Sequence, residues 1–172
     1  MRFIVILTLS IALVAETADA RPTSISKQYE TDKRLGIGLM LGIPLGLDVK
    51  FLATETIAID LGIGAYIAYR DRTGLHIHAD VLYHPFVAVE GESFLAPLYA
   101  GLGARFLNYD DYTHIGIRVP VGIAFDFGSK AFDIFLEGAF VYDVSVSGGD
   151  PAVETPGAVD INVMTGVRFF VF

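Results

Sequence analysis

The chain has 172 residues, enough for one domain, with 53% hydrophobic residues, no cysteine and a formal net charge of −8 at pH 7. The acidic balance excludes a nucleic-acid partner, which needs a basic footprint, and the lack of cysteine excludes disulfides, thiolate chemistry and a lipid-modified Cys. Beyond residue 20 no stretch offers the run of about 18 uncharged apolar residues that a membrane-spanning helix needs. The apolar content therefore falls to strands, and the eighteen glycines, with few Glu, Lys or Gln, point away from helices.

In chain order, residues 1–20 read as a cleaved secretory signal peptide. Arg2 supplies the positive start, Phe3 to Ala15 the apolar core, and Ala18-Asp19-Ala20 the small-x-small cleavage site. Residues 21–33 are polar and unpatterned, a periplasmic lead-in. Eight alternating segments follow, at 34–42, 43–52, 56–69, 74–84, 93–106, 113–127, 131–144 and 159–171. In the third, Ile57, Ile59, Leu61, Ile63, Ala65, Ile67 and Tyr69 oppose Ala58, Asp60, Gly62, Gly64, Tyr66 and Ala68. In the sixth, the odd positions from Ile115 to Phe127 are all apolar, while the even ones include His114, Arg118 and Asp126. With a period of two, a one-residue slip would exchange the two faces, so register is strongly set.

The connections expected at one end are Gly42 to Pro44, Arg70 to Thr73, Leu107 to Tyr112 and the longest, Ser145 to Ala158. At the other end they are Ala53 to Glu55, Pro85 to Glu92 and Gly128 to Lys130. Aromatic residues of the apolar register gather near strand ends. Phe51, Tyr83, Phe94, Phe125, Phe127, Phe132 and Phe169 fall on the rim near the termini; Tyr69, Phe106, Phe140 and Tyr142 fall on the opposite rim.

Two barrels have this alternation, and they differ in which face is inside. A soluble barrel would pack the apolar face inward, but an eight-stranded interior is narrow and would be overfilled by so many Ile, Leu and Phe. It would also expose Gly36, Gly38, Gly46, Gly62, Gly64, Gly101, Gly103, Gly116, Gly122 and Gly166, which are poor strand formers with nothing to gain outside. Turned inward, those glycines make room for long charged side chains; only Gly138 breaks the rule. The pattern therefore predicts an all-β, eight-stranded antiparallel up-and-down transmembrane β-barrel over 34–172. With the signal peptide, that places a monomer in the outer membrane of a diderm bacterium, termini periplasmic, with outer-membrane lipid around it.

Pro97 to Arg105 (PLYAGLGAR), Gly116 to Ala124 (GIRVPVGIA), Phe132 to Glu137 (FDIFLE) and Asp160 to Phe170 (DINVMTGVRFF) carry a resemblance. Through these stretches the chain from Leu35 to Phe172 resembles a bacterial family of small, functionally uncharacterised outer-membrane β-barrels, similar in fold to the OmpA and OmpX barrels. The resemblance implies no agreed activity. It also implies that Phe172 serves as the terminal aromatic read by the outer-membrane assembly machinery during biogenesis. The chain departs from that pattern: Val167, Phe169 and Val171 alternate, but Phe172 is out of phase, and Arg168 stands where an apolar residue is usual.

The inward registers hold eight acids, Asp48, Asp60, Asp80, Asp126, Asp133, Glu137, Asp143 and Asp160, against four bases, Lys50, Arg105, Arg118 and Arg168. Buried charges must be paired or solvated, so a salt-bridged lumen is expected, with Arg118 and Glu137 near its centre. His76, His78, His84 and His114 share the register, and their number equals the acidic surplus, so they are candidates for a pH response. His76-x-His78 with Asp80 in register is only a weak zinc pattern, and Asp110 and Asp111 are too few oxygens for calcium. No metal, cofactor or catalytic group is expected. A lipid-modifying enzyme is the least favoured reading, because every histidine points inward and no strand serine faces outward beside one. What remains is a structural, envelope-integrity or surface-interaction barrel, with loop 145–158 the candidate contact for an external ligand, or else a narrow ion-leak pore.

Overall fold

In a computed structural model of the chain, residues 34–67, 73–91, 94–109, 112–127, 131–147 and 158–171 are described. The expected signal peptide, lead-in, Tyr69, Asp110, Asp111, Phe172 and most of loop 145–158 lie outside them. Eight strands occur: β1 (Leu35–Gly42), β2 (Leu45–Leu52), β3 (Ile57–Ile67), β4 (Thr73–Glu90), β5 (Leu95–Tyr109), β6 (Tyr112–Phe127), β7 (Phe132–Ser147) and β8 (Ala158–Phe170). Each pairs antiparallel with the next, and β8 returns to β1, closing a barrel. No helix occurs among the described residues.

The stagger follows from the registers. Gly38, Asp48, Gly62, His78, Arg105, Gly116, Asp143 and Ala158 are successive partners from β1 round to β8. Ala158 lies six residues beyond Met164, the partner of Gly42, and Gly42 lies four beyond Gly38, so one circuit climbs ten residues. Strands so staggered tilt about 35–45° from the barrel axis, round an interior just wide enough for side chains.

Three strand ends differ from the sequence expectation. Pro85 was expected to stop the fourth strand, yet β4 runs to Glu90. A proline has no N–H to give to a ladder. Here it sits at a β-bulge, where His84 and Pro85 together face one residue of β5, the pairing passing from Tyr83↔Ala100 to Phe86↔Leu98. A second irregularity between Val87 and Val89 carries the strand on. The loop expected from Leu107 to Tyr112 is mostly strand, since β5 reaches Tyr109 and β6 begins at Tyr112. Asn108 Nδ2 ties that end, donating to Thr113 Oγ1 at 2.9 Å. Finally, β7 continues past Val144 to Ser147. The Gly42–Pro44 connection is a tight turn entered through Gly42 at φ 131°, a backbone that a Cβ would strain.

Burial is inverted relative to a water-soluble protein. Among the described residues, 34 large hydrophobic side chains are exposed, Val159, Phe140 and Leu39 among them, whereas 15 polar or charged residues are buried. The inward glycines make this geometrically feasible. A Cβ on Gly62 would collide with the His78 ring, one on Gly103 with the Asp80 carboxylate, one on Gly116 with Asp143, and one on Gly122 with Tyr99. Gly138 points outward and has nothing within 4 Å of where its Cβ would be. On the outer surface at the terminal end, Phe94, Phe125, Phe127, Phe132 and Phe169 form a continuous chain of rings with centroids 4.9–6.1 Å apart.

Candidate functional site

The interior is organised by three arginines on neighbouring parts of the wall, each at a different level. Near the terminal end, Arg168 of β8 donates to both oxygens of Asp133 on β7, Nε–Oδ1 2.9 Å and Nη2–Oδ2 3.1 Å. Its Nη1 reaches Asp48 of β2 and Asp60 of β3, both at 3.3 Å. The guanidinium lies over the Phe135 ring, 4.2 Å from its centroid. The residue that breaks the expected terminal pattern is thus the one that ties four strands together.

At mid-height Arg118 of β6 forms ion pairs with Asp80 of β4 and Glu137 of β7, all three side chains buried. Asp80 lies level with Arg118 across Gly103 of β5, whereas Glu137, expected beside Arg118, pairs with Gly122 four residues along β6 and reaches Arg118 through its side chain. Toward the far end, Arg105 of β5 binds Asp143 of β7 with Nε and Nη2. Its Nη1 donates to Asp160 Oδ2 at 2.7 Å and Asn162 Oδ1 at 3.1 Å, both on β8. Asn162 is missing from the charged-residue reading; its even position in β8, shared with Asp160 and Arg168, was the available signal.

Lys50 is buried near the Arg168 cluster, two residues from Asp48 on β2 and paired with Asp60 of β3. Its Nζ lies 2.9 Å from His84 Nε2 and 5.0 Å from the centre of the Tyr99 ring. An ammonium has only donors, so this ring nitrogen accepts. Asp126 is buried close to the terminal end of β6. Eleven of the twelve charged residues expected in the interior are buried; Asp160, held by Arg105 at the far end, keeps 30% of its side chain exposed.

The four histidines do not form one cluster. His76 Nε2 and His78 Nδ1 are 3.2 Å apart, so one donates to the other. Their nitrogens face each other, and Asp80 is held by Arg118, so the three groups do not converge on a point where a metal would sit. His84 belongs to the Lys50 pair, and His114 stacks near Tyr112 with ring centroids 6.5 Å apart.

Between the charged levels the interior is filled. Met40, Leu82, Tyr99, Phe135, Met164 and Phe170 form an apolar cluster together with Leu52, Ala58 and Ala124. Above it, at the far end, a cavity of about 230 Å³ is lined by Tyr66, Arg105, Leu107, His114, Asp143 and Asp160, with Val159 at its edge. Tyr66 Oη donates to Asp160 Oδ2 across it at 3.4 Å.

This is an eight-stranded antiparallel barrel with an ion-paired interior and an apolar exterior. No family model matches the chain, and no curated protein or solved structure does so either.

Proposed function

We propose that this chain is a small outer-membrane barrel of a diderm bacterium. In this reading residues 1–20 direct its export, its termini are periplasmic, and it serves envelope integrity or surface interaction without catalysis. The observation that carries the reading is the inverted burial: charged residues are inside and 34 large hydrophobic residues are outside. In water, exposed apolar patches on soluble monomers rarely exceed a few hundred Å². In a bilayer the same surface is the solvated one, and a closed barrel leaves no backbone edge to satisfy along most of its height. The chain of phenylalanine rings at the terminal end suits a membrane interface.

The filled interior supports a barrel that does not conduct, ahead of an ion-leak pore. Arg105, Arg118, Arg168, Tyr99 and Phe135 are each no more than 1% exposed. Two measurements test the proposal. Density fractionation of a diderm host expressing the full chain should place it with the outer membrane, and planar-bilayer recordings should show no discrete conductance steps. Recovery in the soluble periplasmic fraction without detergent would refute the location, and reproducible channel steps would refute the plugged interior.

A further inference from the structure

Arg168 does not treat its three acids alike. Each oxygen of Asp133 has its own donor, Oδ1 from Nε and Oδ2 from Nη2. Asp48 Oδ1 and Asp60 Oδ2 instead share the single nitrogen Nη1, both at 3.3 Å. The second oxygen of each, Asp48 Oδ2 and Asp60 Oδ1, is buried and accepts from no group. Such an oxygen has lost its water and gained nothing in return.

The register explains why the two carboxyls meet. Asp48 pairs with Gly62 and Lys50 with Asp60, so Asp48 and Asp60 are diagonal neighbours on the inner face of β2 and β3. The two carboxyls lie within hydrogen-bonding reach of each other. The elements packed round them offer the open oxygens no donor. On β1 the partners of Asp48 and Lys50 are Gly38 and Gly36, which have no side chain. Lys50 points its Nζ at His84 of β4 and lies over Tyr99 of β5. His78 of β4 lies against Gly62 and is bonded to His76. Asp80, opposite Asp60 on β4, is held by Arg118 of β6, as is Glu137 of β7. The local charge is also unbalanced. Three carboxyls, Asp48, Asp60 and Asp133, surround two cations, Arg168 and Lys50, an excess that one proton removes.

We infer that Asp48 and Asp60 hold one proton between them, and that this proton is a pH-sensitive lock on barrel closure. Carried by Asp48 and donated to Asp60, it gives both open oxygens a partner. It also lets two carboxyls sit on one guanidinium nitrogen, and through that nitrogen β8 is tied to β2 and β3 past the β1–β8 seam. Without the proton, two like charges face each other in a low-dielectric interior, and the tie loosens. Aspartates of the unfolded chain are exposed and ionised at neutral pH. Folding therefore takes up a proton, and stability falls as pH rises for as long as the folded pair keeps the proton that the unfolded chain has lost. Mild acid tightens the seam and alkali loosens it.

Asparagine imitates the protonated acid, since the amide of Asp48→Asn can donate to Asp60 at every pH. The full-length wild type and variants are folded into phospholipid vesicles and unfolded by urea from about pH 6 to about pH 8. Relative to Asp48→Asn, the wild type should lose tenfold in its folding equilibrium constant per pH unit, about 1.4 kcal/mol. Other titrating groups act alike on both and cancel. Asp133→Asn removes an acid whose oxygens are both bonded, so it should be less stable than the wild type at either end of the range and keep the full pH slope. A second measurement needs no bilayer. In detergent near neutral pH, the infrared difference between the wild type and Asp48→Asn should contain the C=O stretch of a protonated carboxyl. Parallel pH profiles for the wild type and Asp48→Asn, a loss of stability in Asp48→Asn as large as that in Asp133→Asn, or an infrared difference without that band would each overturn the inference.

Discussion

The two sides of this barrel are built differently. The tall wall, β4 to β7, has strands of 15 to 18 residues, two register irregularities in β4 and one at the top of β6 against β7. The short side, β1 and β2, has strands of 8 residues and a tight turn. The tall wall carries Arg105 and Arg118 and is tied internally by Asp80, Glu137 and Asp143. The short side contributes no arginine. It is held by hydrogen bonds to its neighbours, by close backbone contact through Gly38, Gly42 and Gly46, and by Asp48, which reaches Arg168 over Gly38 of β1. A barrel wall can therefore be low where small residues bring strands together.

The sharpest way to break this comparison is at Arg168, the residue that joins the two sides. Arg168→Leu leaves Asp48, Asp60 and Asp133 buried without their shared cation. Removing one partner of a buried ion pair costs about 3–5 kcal/mol, because the remaining charge is left in a poor solvent for it. Urea unfolding of the protein in lipid vesicles should show that loss. Arg118→Leu leaves two carboxylates rather than three, so its loss should be the smaller of the two. If Arg118→Leu proves the more damaging, the short side does not depend on the Arg168 tie.

The next largest effect is steric and lies on the short side. Gly46 faces Gly64, and a Cβ there would meet the Ile63 carbonyl and the Gly64 Cα, neither of which can swing aside. Gly46→Ala should cost about 1–3 kcal/mol, the usual range for overpacking a closed site. A midpoint shift in the same urea titration, with unchanged slope, is the expected result.

Much of the wall was legible because period-two alternation is a local signal: each residue's face follows from its neighbours in sequence. Asp48, Asp60, Asp133 and Arg168 could thus be placed inside from β2, β3, β7 and β8 separately. That one guanidinium gathers all three acids could not be read, since it depends on the exact registers and on closure: Asp133 is the partner of Arg168 on β7, and Asp48 comes level with it across Gly38 only because β8 pairs with β1. Strand ends were read less well. Pro85 looks like a stop, and nothing in the letters says that a bulge with His84 will absorb it. The uneven height of the described strands was hidden for another reason. Alternation fixes which way a side chain faces but not the ten-residue stagger, and only the pairing of β1 with β8 shows that one strand outlasts the other.

The smallest effect separates the two kinds of glycine and runs in the opposite direction. Gly138 lies on the tall wall, faces outward, and has open space where a Cβ would go. Its neighbours on the same face, Leu136 and Phe140, are exposed and apolar. A glycine in a strand costs roughly 0.5–1 kcal/mol relative to alanine through the freedom it loses on folding, and Gly138→Ala recovers that without a clash. The gain should appear in vesicles as a small rise in the urea midpoint, beside the fall for Gly46→Ala. The same substitution thus stabilises where the glycine faces the apolar surroundings and destabilises where it lets two backbones meet. A loss at Gly138 as large as that at Gly46 would mean that its outward space is occupied, and that the two sides differ less than their strand lengths indicate.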